Sequence, residues 1–167
     1  MRRIVILLAG LAVISIVADS RLNAQSASAS LQVSATVSKN CTITTTPVAF
    51  GSYDSVTANA TAPLDQTGGV VVTCTKGAPA KVGLNTGGNA QGTTRRMVGT
   101  ATEFLAYELY KDSGRATIWG NDASTGLDIP AAPNQNPRTF IVYGRVPQAQ
   151  TAAVGAYTDT VVATVNF

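Results

Sequence analysis

An all-β sandwich is the fold this sequence predicts, and three observations carry the prediction. No stretch after residue 25 sustains a helical period. Short runs rich in Val, Thr, Ile and Tyr take its place, separated by Gly, Pro, Asn and Asp, which is the pattern of strands joined by turns. Towards each end of the mature chain, over residues 27–38 and 157–167, apolar and polar side chains alternate as they do along a strand with one buried face. The 167 residues suffice for one domain with a real core, since a chain of this size buries roughly 68–70% of its extended surface on folding.

The elements follow in chain order. Residues 1–24 read as a secretory signal peptide: Arg2 and Arg3 come first, then an apolar run over residues 4–18 interrupted by Gly10 and Ser15, then small residues. The run stops at Asp19, short of the roughly 20 apolar residues a membrane-spanning helix needs. Cleavage after Ala24 is the first choice, with sites as late as Ala29 as alternatives. The leader carries three of the twelve basic residues and one of the nine acidic ones, so its removal lowers the formal charge from +3 to +1. With no basic cluster in the mature chain longer than Arg95-Arg96, no nucleic-acid partner is implied.

Beyond the leader, candidate strands fall at residues 30–38, 41–45, 48–53, 69–75, 80–85, 104–111, 116–119, 138–146 and 157–167. Breakers such as Lys76-Gly77-Ala78-Pro79 and Asp112-Ser113-Gly114 separate them. Residues 129–137, with Pro130, Pro133 and Pro137, are expected as a loop because proline removes ladder donors. In the first strand Ala27, Ala29, Leu31, Val33, Ala35 and Val37 share one face, and Ser28, Ser30, Gln32, Ser34, Thr36 and Ser38 the other. Neither lysine nor proline blunts this segment, although soluble proteins normally protect their edge strands. Two readings stand: the segment is the first strand of its own sandwich, or it is donated to the sheet of a neighbouring copy.

Composition argues against chemistry. The chain has no histidine, the commonest general base and metal ligand. Its two cysteines, Cys41 and Cys74, cannot supply a zinc site of ordinary ligand count. In an exported chain an even cysteine count favours a disulfide, a reactive thiol pair being the weaker alternative. The eight mature acids show no identifiable pair, and half lie beside turn residues, where Asp bonds its own backbone. The many Ser and Thr lack a histidine to activate them. No enzyme and no cofactor are expected. Trp119, Tyr107, Tyr110 and Tyr143 would suit sugar stacking, but single aromatics in strands are more often core. The sequons at Asn40 and Asn59 are expected to be incidental.

One ordered series of segments is more specific. It runs Phe50-Gly51-Ser52-Tyr53-Asp54, Val72-Thr73-Cys74, Arg96-Met97, Leu105-Ala106-Tyr107-Glu108-Leu109-Tyr110-Lys111-Asp112, and Ile118-Trp119-Gly120 with Asp122. Val142-Tyr143-Gly144-Arg145-Val146-Pro147 and the ending Gly155-Ala156-Tyr157-Thr158-Asp159-Thr160, continuing to Phe167, complete it. In this order the segments resemble the spore coat protein U domain family, which includes subunits of archaic (Csu-type) chaperone–usher pili. The resemblance implies an incomplete immunoglobulin-like β-sandwich, lacking one strand and completed by donor-strand exchange. With the leader at 1–24, which is not part of the resemblance, it implies a donor extension over 25–38 and a pilin domain over 39–167. It assigns the donor role to Ala29, Leu31, Val33, Ala35 and Val37, and the groove and chaperone edge to Tyr157, Val161, Ala163, Val165 and Phe167. It also implies a Cys41–Cys74 bridge between the start of the core and a following strand. The implied partners are a periplasmic chaperone, an outer-membrane usher, and further copies or sister pilins in a head-to-tail fibre at the cell surface, supporting adhesion and biofilm formation. A non-fibrous coat or surface-layer protein and a carbohydrate-binding adhesin module are the alternatives.

Overall fold

The computed structural model describes residues 25–167, and the expected leader lies outside them. The chain divides into two units, Met1–Ala35 and Thr36–Phe167. Residues 25–35 of the first form neither helix nor strand, and all their side chains are exposed. The second unit holds two antiparallel sheets. Its elements are β1 (Cys41–Thr46), a four-residue helical turn α1 (Ala58–Thr61), β2 (Leu64–Cys74), β3 (Ala80–Leu84), β4 (Arg95–Val98), β5 (Phe104–Tyr110), β6 (Leu127–Ile129), β7 (Arg138–Val146) and β8 (Ala163–Asn166). The larger sheet has the order β1-β2-β7-β5-β4 and the smaller one β6-β3-β8.

Period-two alternation builds the core. Leu105, Tyr107 and Leu109 of β5 are buried, while Phe104, Ala106, Glu108 and Tyr110 alternate with them on the outer face. Val70 and Val72 of β2, Val82 of β3 and Val142 and Val146 of β7 join them, with Ile129 and Trp119 closing the interior. Full burial of each such side chain contributes about 1.5–3 kcal/mol. Trp119 is fully buried and bridges the sheets: its indole N–H donates to the Val82 carbonyl at 2.9 Å, and its backbone N–H to the Leu109 carbonyl at 2.9 Å.

At one end of the larger sheet Cys41 stands opposite Cys74 in the register of β1 on β2, and the two sulfurs are bonded at 2.07 Å. With a sequence separation of 33 between the partners, the chain-entropy account gives about 4 kcal/mol of stabilisation. Thr75 continues the tie, donating its backbone N–H to the Asn40 carbonyl at 2.8 Å.

Several expected elements differ from what forms. Residues 30–38 make no strand, and Leu31, Val33 and Val37 are 87%, 85% and 81% exposed; a strand exists only within a ladder, and alternation alone supplies no partner. Residues 48–53 also form no strand. Pro47 removes a donor and Gly51 turns the chain at φ +77°. Val48 and Phe50 instead lie flat over the sheet, above Gly68 and Gly144, where a Cβ would meet Val48 at 2.7 and 2.6 Å. Residues 116–119 contribute one bridge, Ile118 to Tyr110. In the last segment Thr158 bridges to Val98 and only Ala163–Asn166 is strand. Two strands were missed. β4 hides behind adjacent arginines, and β6 puts Ile129, expected in a loop, beside Pro130 on a sheet edge, where proline is tolerated.

Candidate functional site

The two sheets do not close on one side. β1 ends the larger sheet and pairs with β2, while β8 ends the smaller and pairs with β3; among the described residues each has no strand on its other edge. Between Thr45 and Thr46 of β1 and Ala163 of β8 the sandwich opens into a hollow of about 380 Å³, and a second hollow of about 760 Å³, beside β2, β5 and β7, shares Val48, Phe50, Met97 and Tyr157 with it. Leu84, Leu109, Val142 and Val161 extend the lining of the first, and Leu64, Leu105 and Val146 that of the second. The first hollow is walled mainly by apolar side chains packed on the core, whereas the second mixes such residues with Ser52, Asp54 and Ser55. An apolar cleft flanked by two unpaired strand edges presents both a hydrophobic surface and free backbone groups, which is the chemistry of strand addition.

Of the expected edge residues, Tyr157, Val161 and Ala163 line the first hollow. Val165 stands opposite Val82 and packs on the core, and Phe167 is 51% exposed. The expected donor residues Ala29, Leu31, Val33, Ala35 and Val37 are all exposed. Reading the sequence missed the facing wall, Val48, Phe50 and Met97. The signal available was the apolar alternation at 48 and 50 directly after Pro47, read there as a strand.

Asp159 is the one charged residue in the lining of the first hollow. Asp159 accepts hydrogen bonds from the Gly88 N–H at 2.9 Å, the Asn89 carboxamide at 2.9 Å and the Tyr107 hydroxyl at 2.7 Å. Burial, reinforced by that bond to Asp159, raises the Tyr107 phenol well above its ordinary value, so it serves as a neutral donor. In the alternation over residues 157–167, Asp159 shares the face of Tyr157, Val161, Ala163 and Val165. Close by, the buried Arg95 pairs with Glu108 and donates to the carbonyls of Leu84, Asn85 and Trp119 at 2.8 Å each, stitching β4 and β5 to the end of β3.

Two further acids, Asp112 and Asp122, serve turns. Asp112 accepts from the backbone N–H groups of Ala116 and Thr117 at 3.1 and 2.7 Å, and Asp122 from those of Ser124 and Thr125 at 2.8 and 2.7 Å. These bonds, with that of the Ser124 hydroxyl foremost at Asp122, hold both carboxyls below the usual carboxylate range. Asn59 is buried, with its carboxamide bonded to the Asp54 N–H and the Ala62 carbonyl. Among the described residues no three His, Cys, Asp or Glu side chains converge as a metal site.

Comparison with known proteins places this architecture. Residues 27–164 match the model of the Spore Coat Protein U domain. Over 166 aligned residues the chain is 39% identical to Protein U of Myxococcus xanthus, with 92% of each chain covered. Among solved structures it is similar to a chain in the complex of CsuC and CsuE, a chaperone–tip adhesion subunit pre-assembly complex from archaic chaperone–usher Csu pili of Acinetobacter baumannii. The TM-score is 0.57 at 24% identity, with 79% of this chain covered. The match spans 41% of the Csu chain's length, and its likeness is one of fold. Two antiparallel sheets around one core, with this sequence match over most of the length, lead to one conclusion: the chain belongs to the Spore Coat Protein U domain family.

Proposed function

We propose that the chain is a structural subunit of a surface fibre, a pilus assembled by the chaperone–usher route, in which each copy gives a strand to the groove of the next. The observation that carries this reading is the pairing of an unfilled apolar groove between β1 and β8 with an exposed, one-faced apolar segment in the same chain. Residues 1–24 serve as export signal, 25–38 as donor extension and 39–167 as the receiving domain. Ala29, Leu31, Val33, Ala35 and Val37 enter the groove. Tyr157, Val161, Ala163, Val165 and Phe167 form the edge they join, where a periplasmic chaperone sits beforehand and from which an outer-membrane usher hands the subunit on.

The energetics favour such an exchange. Leu31, Val33 and Val37 gain about 1.5–3 kcal/mol each on burial, and the unpaired edges gain a ladder of backbone hydrogen bonds. Successive copies meet head to tail, an interface that does not close and so builds a filament. Its durability rests on slow unfolding rather than on covalent links. Adhesion and biofilm formation are what such fibres would support. No catalytic step is assigned.

The test is deletion of residues 25–38 in a chain co-expressed with its cognate chaperone. The expected product is a folded, chaperone-bound subunit that never polymerises. Polymer at the wild-type yield would refute the donor role. Electron microscopy of the cell surface separates this reading from a non-fibrous coat component: thin fibres support it, an amorphous layer overturns it.

A further inference from the structure

The sequence ending Gly155-Ala156-Tyr157-Thr158-Asp159-Thr160 holds the least ordinary part of the groove. Between the Thr158–Val98 bridge and the start of β8 at Ala163, residues 159–161 wall the groove without belonging to a strand. Side chains replace the ladder there. The Asn85 carboxamide oxygen accepts from the N–H groups of Val162 at 2.9 Å and Gly87 at 3.0 Å, and the Asn85 N–H donates to the Val162 carbonyl at 3.1 Å. The Asp159 carboxylate then joins three segments. One oxygen takes the Gly88 N–H and the Asn89 carboxamide from the loop after β3; the other takes the Tyr107 hydroxyl from β5 of the opposite sheet.

The loop is shaped around this carboxylate. Gly87 has φ +86°, and a Cβ there would lie 1.9 Å from an Asp159 oxygen. Two residues to either side of Asp159 stand Tyr157 and Val161, both of which line the groove. We infer that Asp159 is the positioning residue of the groove: it fixes the unladdered 159–161 wall so that an entering strand meets a preformed edge. The inference rests on the reading of the groove as a strand acceptor. An edge already ordered spares the incoming strand the entropy of ordering it, so the bracket acts on how fast and how tightly a strand is taken up.

The experiment uses the full chain, freshly refolded under oxidising conditions, and a fluorescent synthetic peptide with the sequence of residues 29–37. Uptake is followed by anisotropy, and the near-ultraviolet circular dichroism of buried Trp119 verifies the fold of each variant. For Asp159→Ala the expected rate of uptake is about tenfold below wild type, the loss of charge-assisted bonds at one group. Asp159→Asn should recover to within about threefold, since its oxygen still serves Gly88 and Asn89 while its amide donates to the Tyr107 oxygen. A merely structural role would not give slow uptake with an unchanged Trp119 signal and rescue by asparagine. Should Asp159→Ala fail to fold, Tyr107→Phe removes a single bond and should still slow uptake measurably. Wild-type rates in the variants would overturn the positioning role and leave the acceptor groove standing. A wild-type chain that ignores the peptide would overturn the groove reading, and this inference with it.

Discussion

Replacing Arg95 by methionine should destabilise the sandwich more than any change on its surface. Arg95 is 2% exposed and ties together Glu108 and the carbonyls of Leu84, Asn85 and Trp119. Methionine fills much the same volume but leaves the Glu108 carboxylate, 18% exposed, without its cation and three acceptors without a donor. Removing one partner of a buried pair costs about 3–5 kcal/mol; a middle value of about 4 kcal/mol is adopted. Unfolding entropy of about 2.1 cal/mol/K per residue, applied to the Thr36–Phe167 unit, is about 0.28 kcal/mol/K. The midpoint should therefore fall by about 14 °C. The assay is thermal unfolding followed by the near-ultraviolet dichroism of Trp119, with variant and wild type in the same state of assembly. Adding Glu108→Gln should recover part of the loss, because the orphaned charge is then gone. A drop below about 5 °C, or no recovery in the double variant, would refute the view that this cation holds β4 and β5 to the end of β3.

Three further outcomes follow from other parts of the molecule. Cys41→Ser removes the bond between β1 and β2, worth about 4 kcal/mol, and should sharply lower the yield of folded chain in an oxidising compartment, measured by quantitative blotting. Leu31→Asp alters a side chain that is 87% exposed, so the unfolding free energy of the unassembled chain should stay within about 0.5 kcal/mol of wild type while polymer yield, read on non-denaturing gels, collapses. Asp65 is held below its ordinary carboxyl value chiefly by the hydrogen bond from Arg145, with the Arg115 charge adding to it. A carboxyl depressed in the folded state stabilises it above the unfolded value of about 4 and loses that contribution as pH falls through the folded value. At about one-third exposure on both sides, the pair contributes at most about 1 kcal/mol. Asp65→Asn should thus melt up to about 4 °C below wild type at pH 7, and the difference should vanish in strong acid.

How much of this was legible before the structure depends on what held each segment. The strand at Arg138–Val146 reads directly from its alternation, as does the core of Phe104–Tyr110 and Ala80–Leu84, because inward residues there meet the opposing sheet. Arg95–Val98 was invisible: two adjacent arginines look solvated, and only the carbonyls of Leu84, Asn85 and Trp119 explain why one of them is buried. Residues 48–53 carry the strand pattern correctly, yet Pro47 and Gly51 uncouple them from a ladder, so they become groove wall. The Tyr157 end of the groove was legible as an apolar face, whereas the bracket around Asp159 was not. Its partners lie about 50 and 70 residues away in sequence, a separation that no local period encodes.

The central claim, that one copy fills the groove of another, is tested most directly by engineered cross-linking between copies. Chains carrying Leu31→Cys are mixed with chains carrying Val161→Cys or Ala163→Cys, assembled and then oxidised. The account predicts disulfide-linked heterodimers that appear only on mixing and that an excess of the unlabelled peptide of residues 29–37 suppresses. If instead a single chain bearing both cysteines closes the link within itself at every dilution, and the mixture yields no heterodimer, the strand belongs to its own sandwich and the account fails.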